Sequence, residues 1–297
     1  MDFELPEGKY LVAVSGGVDS VVLLDLLYSF HNTELNEFVV AHFDHGIRPD
    51  SAKDANFVKE LSESYGFEFV TEKSNLGINS SEEKARIARY EFLRKTTEKL
   101  NLDAVLTAHH QDDLIETIFL HTIRGTGRYG LDPMSRTKDI IRPLLKTKKQ
   151  DLISYAQKNK LDWQEDSTNK DEKYLRNALR KTLSKNLNQD SRDKILLLNE
   201  SVSIINLELD ELLNGLGSFI LDKKGLITRS RFVILPFDVE CEYIKKRLSF
   251  YGVKDISKQL VSRVVIASKT LEPGKKIDCG SNHWLKSNKL TLEILRK

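Results

Sequence analysis

Cysteines are scarce in this 297-residue sequence, and long apolar runs are absent. The two cysteines, Cys241 and Cys279, form neither a CxxC pair nor a zinc-ligand spacing, which excludes a disulfide framework and a zinc ribbon. No apolar stretch approaches the roughly 20 residues that cross a bilayer. Acidic residues occupy the start of the chain, where a signal peptide would carry basic ones. We therefore expect a soluble, cytoplasmic protein with no membrane partner.

Net charge is also small, because 46 lysines and arginines stand against 44 aspartates and glutamates. The balance is uneven along the chain. Residues 241–297 hold 13 basic and 5 acidic residues, a net of +8, which leaves 33 basic and 39 acidic residues, a net of −6, in residues 1–240. A basic C-terminal part suggests a polyanionic partner such as nucleic acid. Charge clustering by itself is more often a solvated surface.

Two periodicities alternate over the first 145 residues and predict the fold class. Short apolar runs predict four strands, at Tyr10–Val14, Phe38–Phe43, Phe67–Val70 and Ala104–Ala108. Helical patterns follow them, at Val18–Tyr28, Ser51–Tyr65, from the N-caps Ser80 and Ser81 to Leu100, and at Asp112–Ile123. Strands that alternate with helices predict an α/β fold with a parallel, doubly wound sheet. Such sheets bind ligands at the carboxyl ends of their strands.

The remainder of the chain has a different pattern. Helices are predicted at Lys149–Asn159, Leu175–Leu187 and Ile195–Leu213, with Gly215 and Gly217 as a boundary. Beyond it, the patterns predict strands at Phe232–Leu235 and Lys289–Leu295 and helices at Val239–Phe250 and Ser257–Ser268. We expect a catalytic domain in residues 1–147, a helical extension in 148–216, and a small basic α+β domain in 217–297.

The sharpest motif is the segment Ser15–Ser20, SGGVDS, directly after the first predicted strand. Gly16 and Gly17 allow a tight turn and a close approach of the backbone to an anion. The helix that follows directs its unpaired N–H groups and the positive end of its dipole at that anion. The segment therefore predicts a phosphate-binding loop.

Two common nucleotide-binding motifs do not account for this loop. The pattern GxxxxGK[ST] is absent, which excludes the ordinary P-loop. A GxGxxG string at 125–130 follows a helix instead of a strand, so it is not a dinucleotide fingerprint. We interpret it as an arginine-bearing loop near the site, with Arg124 and Arg128 as its charged members.

Further segments extend the motif into a family resemblance. AHFDHGIR at 41–48 follows the second strand, and AHHQDDLIET at 108–117 follows the fourth. RGTGRYGL at 124–131, RPLL at 142–145, EDSTN at 165–169 and RNALR at 176–180 come after them in that order. With SGGVDS, this series resembles the tRNA(Ile)-lysidine synthetases, a family of N-type ATP pyrophosphatases with a PP-loop. The resemblance covers about residues 10 to 180.

The resemblance implies a two-step reaction that uses ATP and Mg²⁺. The wobble cytidine of a tRNA(Ile) with a CAU anticodon is adenylated at its C2 oxygen, and pyrophosphate leaves. The amine of free L-lysine then attacks C2 and releases AMP, which gives lysidine. The resemblance also makes a homodimer reasonable.

The resemblance assigns roles to residues of this chain. The nucleotide-binding set is Ser15, Gly16, Gly17, Val18, Asp19, Ser20, Ala41, His42, Asp44 and His45. The catalytic set is Asp19, Arg48, His109, Asp112, Asp113 and Glu116. Contacts to tRNA are expected from Arg124, Gly125, Gly127, Arg128, Arg176, Asn177 and Arg180. Asp19 and Asp113 are the expected Mg²⁺ ligands, and the carboxylates after the fourth strand share the tasks of holding metal, binding the lysine ammonium and accepting its proton.

Several alternatives stay open at this point. Another PP-loop enzyme, such as a tRNA thiolase, is disfavoured because neither cysteine lies in the catalytic half. A non-catalytic nucleotide- or RNA-binding module is disfavoured because Asp19 and the carboxylates after the fourth strand are intact. Arg86 and Arg89 either face the site or lie on a solvated helix face. Tyr129 and Trp163 either stack on a splayed base or, more commonly, pack within the protein.

Overall fold

The structure is a computed structural model that describes residues 3–31, 35–46, 51–74, 82–135, 139–164 and 175–296. Those residues divide into two compact units, residues 1–203 and 204–297. The predicted N-caps Ser80 and Ser81 and the site residue Arg48 lie outside the described residues. None of the helices in the described ranges has the length and apolarity that a bilayer crossing requires.

A five-stranded parallel sheet forms the centre of the first unit. Its strands are β1 (Gly8–Ala13), β2 (Asn36–Asp44), β3 (Glu68–Lys73), β4 (Ala104–Thr107) and β5 (Ile140–Ile141), and their order is β3-β2-β1-β4-β5. The predicted doubly wound parallel sheet is therefore confirmed. β5 was not predicted, because a pair of apolar residues has no measurable period.

Alternate side chains of each strand enter different cores, as the pleat of a β-strand requires. Tyr10 and Val12 join the cluster on one face, whereas Leu11 joins the cluster on the other face. Both faces of the sheet are thus covered, which explains why the central strands are apolar along their whole length.

Helices follow the strands as predicted. Those of the first unit are α1 (Val18–His31), α2 (Ser51–Ser64), α3 (Glu82–Lys99), α4 (Gln111–Ile123), α5 (Lys149–Lys158) and α6 (Leu175–Asn186), with a short 3₁₀ turn at Arg128–Gly130. α1 leaves the end of β1, and α4 leaves the end of β4. β1 and β4 are neighbours where the strand order reverses, so the starts of α1 and α4 meet at the topological switch point.

The second unit is a small α+β structure. Its helices are α8 (Arg229–Phe232), α9 (Phe237–Phe250) and α10 (Lys258–Thr270), and its antiparallel sheet contains β6 (Ile227–Thr228), β7 (Lys276–Gly280), β8 (His283–Ser287) and β9 (Thr291–Arg296) in the order β6-β9-β8-β7. The long helix α7 (Gln189–Ile220) spans the division between the units and continues through Gly215 and Gly217.

One element of the second unit was predicted wrongly. The apolar run Phe232–Leu235 is not a strand, because Phe232 ends α8 and the next residues form a turn. The Phe232 ring is completely buried in the core of the second unit, so tertiary packing outweighs its β-propensity. The three-part division of the chain at residues 147 and 216 stays a prediction.

A half-buried carboxylate ties three helices of the first unit together. Asp25 of α1 accepts a hydrogen bond from the Tyr65 hydroxyl at 2.6 Å, just after α2, and one from the Tyr155 hydroxyl of α5 at 2.8 Å. Burial and the Asp25 charge raise the pKa of Tyr65, and they raise the pKa of Tyr155 to about 12. Both tyrosines therefore stay protonated donors, and Asp25 holds α5 against the helix that carries the loop.

We expect Tyr65→Phe and Tyr155→Phe each to lower the free energy of unfolding by about 1–2 kcal/mol, because each removes a donor to a carboxylate. Urea unfolding of the whole chain measures this. Tyr28→Phe is the matched control, since Tyr28 pairs with Tyr65 through its ring at 5.1 Å and phenylalanine keeps that contact. Equal losses in all three variants would contradict the role of Asp25.

Candidate active site

The loop Ser15–Ser20 has the backbone conformation that its glycines predict. Gly16 has a φ of +91°, which an L-residue rarely adopts. The carbonyl of Gly16 accepts a hydrogen bond from the backbone N–H of Gln164 at 2.9 Å. α1 begins two residues later, so the first-turn N–H groups of Val18 and Asp19 open toward this turn, whereas the N–H of Ser20 donates to the carbonyl of Gly17 at 3.0 Å.

The two serines at the ends of the loop close it. Their hydroxyl oxygens lie 3.2 Å apart, and Ser20 Oγ also donates to the carbonyl of Gly17 at 2.9 Å. The backbone N–H of Ser15 donates to Ser20 Oγ at 3.2 Å. Ser20 is therefore a buried brace of the turn, whereas Ser15 is exposed and available to a ligand.

Asp19 lies between two cationic side chains. Its Oδ1 contacts Nζ of Lys149 at 2.5 Å, and its Oδ2 lies 3.6 Å from Nε2 of His110. Burial alone would raise the pKa of Asp19, but His110 and Lys149 outweigh burial and hold the pKa below its usual value. Asp19 is therefore ionised, and its charge is neutralised by two residues from other parts of the chain.

The start of α4 brings a second carboxylate to the same histidine. Asp113 Oδ2 accepts from the backbone N–H of His110 at 3.1 Å and lies 3.4 Å from its Nε2. Burial lowers the pKa of His110, but Asp19 and Asp113 outweigh burial and raise it overall. The His110 ring, which lies between two carboxylates, thus joins the loop to α4.

Asp112 anchors neighbouring elements instead of facing the loop. Its Oδ2 accepts from the backbone N–H of Lys149 at 3.1 Å, and its Oδ1 contacts the guanidinium of Arg192 at the start of α7. Burial would raise the pKa of Asp112, and Arg192 with the Lys149 amide lowers it. These contacts fix the N-terminus of α5, from which the Lys149 side chain extends.

Glu116, one turn further along α4, holds the two arginines of the RNALR segment. Its carboxylate accepts from Arg180 at 2.6 and 3.1 Å and from Arg176 at 3.4 Å. The same arginines lie 3.6 and 3.9 Å from Asp113 Oδ1. Glu116 is 3% exposed, so it depends on these partners. Two of the predicted tRNA-contacting arginines, Arg176 and Arg180, therefore form one cluster with the predicted catalytic carboxylates Asp113 and Glu116.

His109 lies beside this cluster as a neutral imidazole. Its Nδ1 is 2.8 Å from the Thr107 hydroxyl. Burial lowers the pKa of His109, and the charges of Arg142, Arg89 and Arg86 lower it further, to about 3 despite Asp113. Arg86 and Arg89 also contact the Tyr90 ring, at 4.8 and 5.5 Å. The structure therefore favours the site-facing alternative for Arg89, which is half-buried, whereas Arg86 is exposed as on a solvated helix face.

The last residues of β2 and the two residues that follow it form the wall next to the loop. Nδ1 of His42 donates to the carbonyl of Val14 at 2.9 Å, so it joins the ends of β1 and β2. Asp44 Oδ1 accepts from the backbone N–H of Gly46 at 2.8 Å. Ala41 is buried, and the His45 ring packs edge-on against Phe43 at 4.9 Å. His42 and Asp44 are buried as well, so their contacts with Val14 and Gly46 fix the shape of the wall.

The arginine-bearing loop lies at the opposite end of α4. Arg124 caps this helix, which places it roughly 16 Å along the axis from Asp113. Gly125 has a φ of +71°, the conformation that ends a helix, and Gly127 caps the 3₁₀ turn. The Arg128 guanidinium stacks on the Tyr129 ring at 3.9 Å. A cleft of about 290 Å³ lies here.

Three further predictions have simple outcomes. Trp163 packs against the main core of the first unit, which favours packing over base stacking. Arg48 and residues 165–169 lie outside the described residues. Asn177 lies in α6.

Two residues of the cluster were missed. His110 has a signal in the sequence, since it is the second of two histidines after a strand. Lys149 lies 130 positions from Asp19, and no motif links them. Asp19 and Asp113 supply the carboxylate oxygens that Mg²⁺ prefers, and both approach one His110 nitrogen, at 3.6 and 3.4 Å, but no group of three or more potential metal-ligating side chains occurs among the described residues.

Comparisons with known proteins agree with this geometry. A family model described as the PP-loop domain ATP_bind_3 matches residues 3–187. The tRNA(Ile)-lysidine synthase of Mycoplasma mycoides subsp. mycoides is 33% identical over 288 residues, which cover 93% of this chain and 68% of the relative. The chain belongs to the tRNA(Ile)-lysidine synthase family of PP-loop proteins. The resemblance in its sequence is therefore confirmed.

Other tRNA(Ile)-lysidine synthases exceed this chain in length. That of Thermotoga maritima is 37% identical over 205 residues, which cover 65% of this chain and 50% of the relative. Among solved structures, the tRNA thiolase NcsA of Methanococcus maripaludis with its 4Fe-4S cluster has a TM-score of 0.56 and 16% identity, over 68% of this chain and 73% of that one. This likeness concerns the fold alone.

The neutral state of His109 predicts a pH effect on stability. Its folded pKa of about 3 lies below the ordinary 6.5, so the unfolded chain binds more protons between these values. The His109 contribution therefore falls as pH falls, by about 1 kcal/mol between pH 6.5 and 5.5. His109→Gln removes this loss. Urea unfolding in EDTA at both pH values measures it, and an unchanged pH dependence in the variant would contradict a neutral His109.

Proposed function

We propose that this protein joins the amine of free L-lysine to C2 of the wobble cytidine in a tRNA(Ile) with a CAU anticodon. The reaction uses ATP, proceeds through an adenylated tRNA, and yields lysidine, AMP and pyrophosphate in the cytoplasm. The observation that carries the proposal is that the loop and the carboxylate cluster after β4 meet at the switch point of the sheet, joined by His110.

The first step needs a cradle for the leaving β- and γ-phosphates. The glycine turn and the start of α1 supply backbone N–H groups for it, and Ser15 supplies a hydroxyl. In this step the cytidine O2–Pα bond forms, the Pα–O bond to the β-phosphate breaks, and pyrophosphate takes the electron pair. Asp19 and Asp113 would hold a Mg²⁺ ion, which when bound offsets triphosphate charge. His42 and Asp44 form the wall beside the adenosine.

The second step needs a proton acceptor for the lysine amine. The C2–N bond forms, the C2–O bond breaks with the oxygen leaving on AMP, and the amine loses a proton. We assign this proton to Asp113, because it is the carboxylate of α4 that lies, like Asp19 of the loop, next to Nε2 of His110. Asp112 is assigned a positioning role, since both of its oxygens hold other elements. Neutral His109 is assigned to a hydrogen bond with substrate.

Arginines on two sides of α4 are the proposed tRNA contacts. Arg176 and Arg180 extend from Glu116 with part of each guanidinium exposed, and Arg124 and Arg128 belong to the glycine loop at the far end of α4. The basic second unit offers a cleft along α10 that Lys258 and Arg263 line. We also propose a homodimer, which is supported by a row of exposed apolar side chains on α7, seven residues apart: Leu198, Ile205, Leu212 and Phe219.

The direct test incubates the protein with ATP, Mg²⁺, labelled lysine and an unmodified tRNA(Ile) transcript with a CAU anticodon. We expect label to enter the tRNA only when all components are present, because lysine attacks only the adenylated base. A transcript with the wobble cytidine replaced by uridine is the control. ATP turnover with another acceptor but without lysine transfer would contradict the proposal and favour a different PP-loop enzyme.

Arg176→Ala combined with Arg180→Ala is expected to weaken tRNA binding about tenfold or more and to flatten its salt dependence, because two phosphate contacts are lost. ATP affinity should stay within about twofold. Filter binding over a salt series measures the first effect, and equilibrium dialysis measures the second.

The double variant leaves Glu116 without its partners, which destabilises the fold by itself. The triple variant that adds Glu116→Gln is the control, since a neutral amide needs no counter-ion. Loss of ATP binding in the triple variant would show that these arginines serve the nucleotide and not the tRNA.

A further inference from the structure

The phosphate-binding loop has no cation of its own. Asp19 is the only charged residue in Ser15–Ser20, and a carboxylate repels a triphosphate. Ordinary P-loops carry a lysine that reaches the terminal phosphates. A site that binds the same polyanion without that lysine needs positive charge from elsewhere in the chain.

Lys149 brings a positive charge to this loop. Its Nζ lies 2.5 Å from Asp19 Oδ1, and its side chain is 37% exposed, so a ligand in solution can reach it. His110 contacts the other oxygen of Asp19 from within the protein, where it is 6% exposed. Of these two cations, only Lys149 borders the space in which a ligand of the loop would lie.

The backbone of Lys149 is firmly placed. Its N–H donates to Asp112, and Gln111 at the start of α4 donates to the carbonyl of Thr147 at 2.9 Å. Tyr155 attaches the same helix to Asp25 of α1, and Leu152 is fully buried. The ammonium can therefore move only by rotation of its own side-chain bonds, over a few ångströms, while its base stays at the loop.

We propose that Lys149 is the phosphate-binding cation of this site: its ammonium leaves Asp19 for the β- and γ-phosphates of ATP and remains on the pyrophosphate that departs. The inference rests on the proposed function in taking ATP as the ligand. When the Pα–O bond breaks, the pyrophosphate gains the electron pair, and an adjacent ammonium stabilises that charge. His110 keeps Asp19 partly neutralised meanwhile.

A purely structural role for Lys149 is the competing explanation. The contact with Asp19 would then serve to hold α5 against α1. Two observations oppose it. A partly exposed ion pair contributes little to stability, and α5 is already attached through Asp112, Tyr155 and the buried Leu152.

Binding of three ligands to Lys149→Met separates the explanations. Titration calorimetry with ATP, with inorganic pyrophosphate and with AMP, all in excess Mg²⁺, is the measurement. We expect pyrophosphate and ATP to bind about tenfold more weakly or worse, because a charge-assisted contact is lost, whereas AMP stays within about twofold. Lys149→Arg should recover most of the affinity. Lys146→Met is the matched control, since that lysine is 89% exposed and pairs with Glu200.

The Asp19→Asn background tests whether Lys149 acts through Asp19. If Lys149 binds phosphate, Lys149→Met still weakens pyrophosphate binding when Asp19 is already neutral. Lys149→Gln serves as a second neutral variant should Lys149→Met fail to fold.

The proposal is overturned if pyrophosphate affinity is unchanged in the neutral variants, if AMP weakens equally, or if the effect disappears in the Asp19→Asn background. Lysine transfer by the unaltered protein tests the proposed function separately. Lysine transfer can occur even if Lys149 does not bind phosphate. Conversely, Lys149 can bind pyrophosphate even if the protein does not transfer lysine to tRNA.

Discussion

A carboxylate at the mouth of a phosphate loop is tolerable only if its charge is neutralised, and in this protein that constraint organises the site. Asp19 meets Lys149 on one oxygen and His110 on the other. Neither partner belongs to the loop. The charge of Asp19 is therefore neutralised, and the loop able to bind phosphate, only when β1 and β4 are neighbours and α5 is attached to α1. The sheet order and the Asp25 hydrogen bonds meet both conditions.

From Asp19 the alternation of charges continues along the start of α4. His110 links Asp19 to Asp113, and Asp113 faces the arginines that Glu116 holds. Each carboxylate in this series has a cationic neighbour, so no buried charge stands alone. The phosphate-binding loop and the arginines of α6 are therefore connected electrostatically through the first two turns of α4. Such a connection suits a reaction in which the product of the first step is the substrate of the second.

Much of this architecture follows from local sequence. The apolar runs gave the positions of four strands along the chain, because central parallel strands are apolar on both faces. The turn at Gly16 followed from a glycine pair between a strand and a helix. The hairpin between β7 and β8 was missed, although Ser281 and Asn282, with φ values of 47° and 61°, occupy the two-residue turn typical of such hairpins.

What local sequence could not supply are the pairs between distant segments. Lys149 with Asp19 and Arg192 with Asp112 join residues 130 and 80 positions apart. One signal was available for the first pair. Lys148 and Lys149 stand at the N-terminus of α5, where a positive charge opposes the helix dipole. Such a placement indicates that an acidic partner or a ligand compensates elsewhere, and the structure identifies Asp19 as that partner.

The central claim is that the glycine turn after β1 receives the phosphates of the nucleotide. A crystal structure of the protein with a non-hydrolysable ATP analogue tests it most directly. We expect β- and γ-phosphate oxygens within hydrogen-bond distance of backbone N–H groups between Gly16 and Asp19. Phosphates bound at another edge of the sheet, with the turn empty, would contradict it.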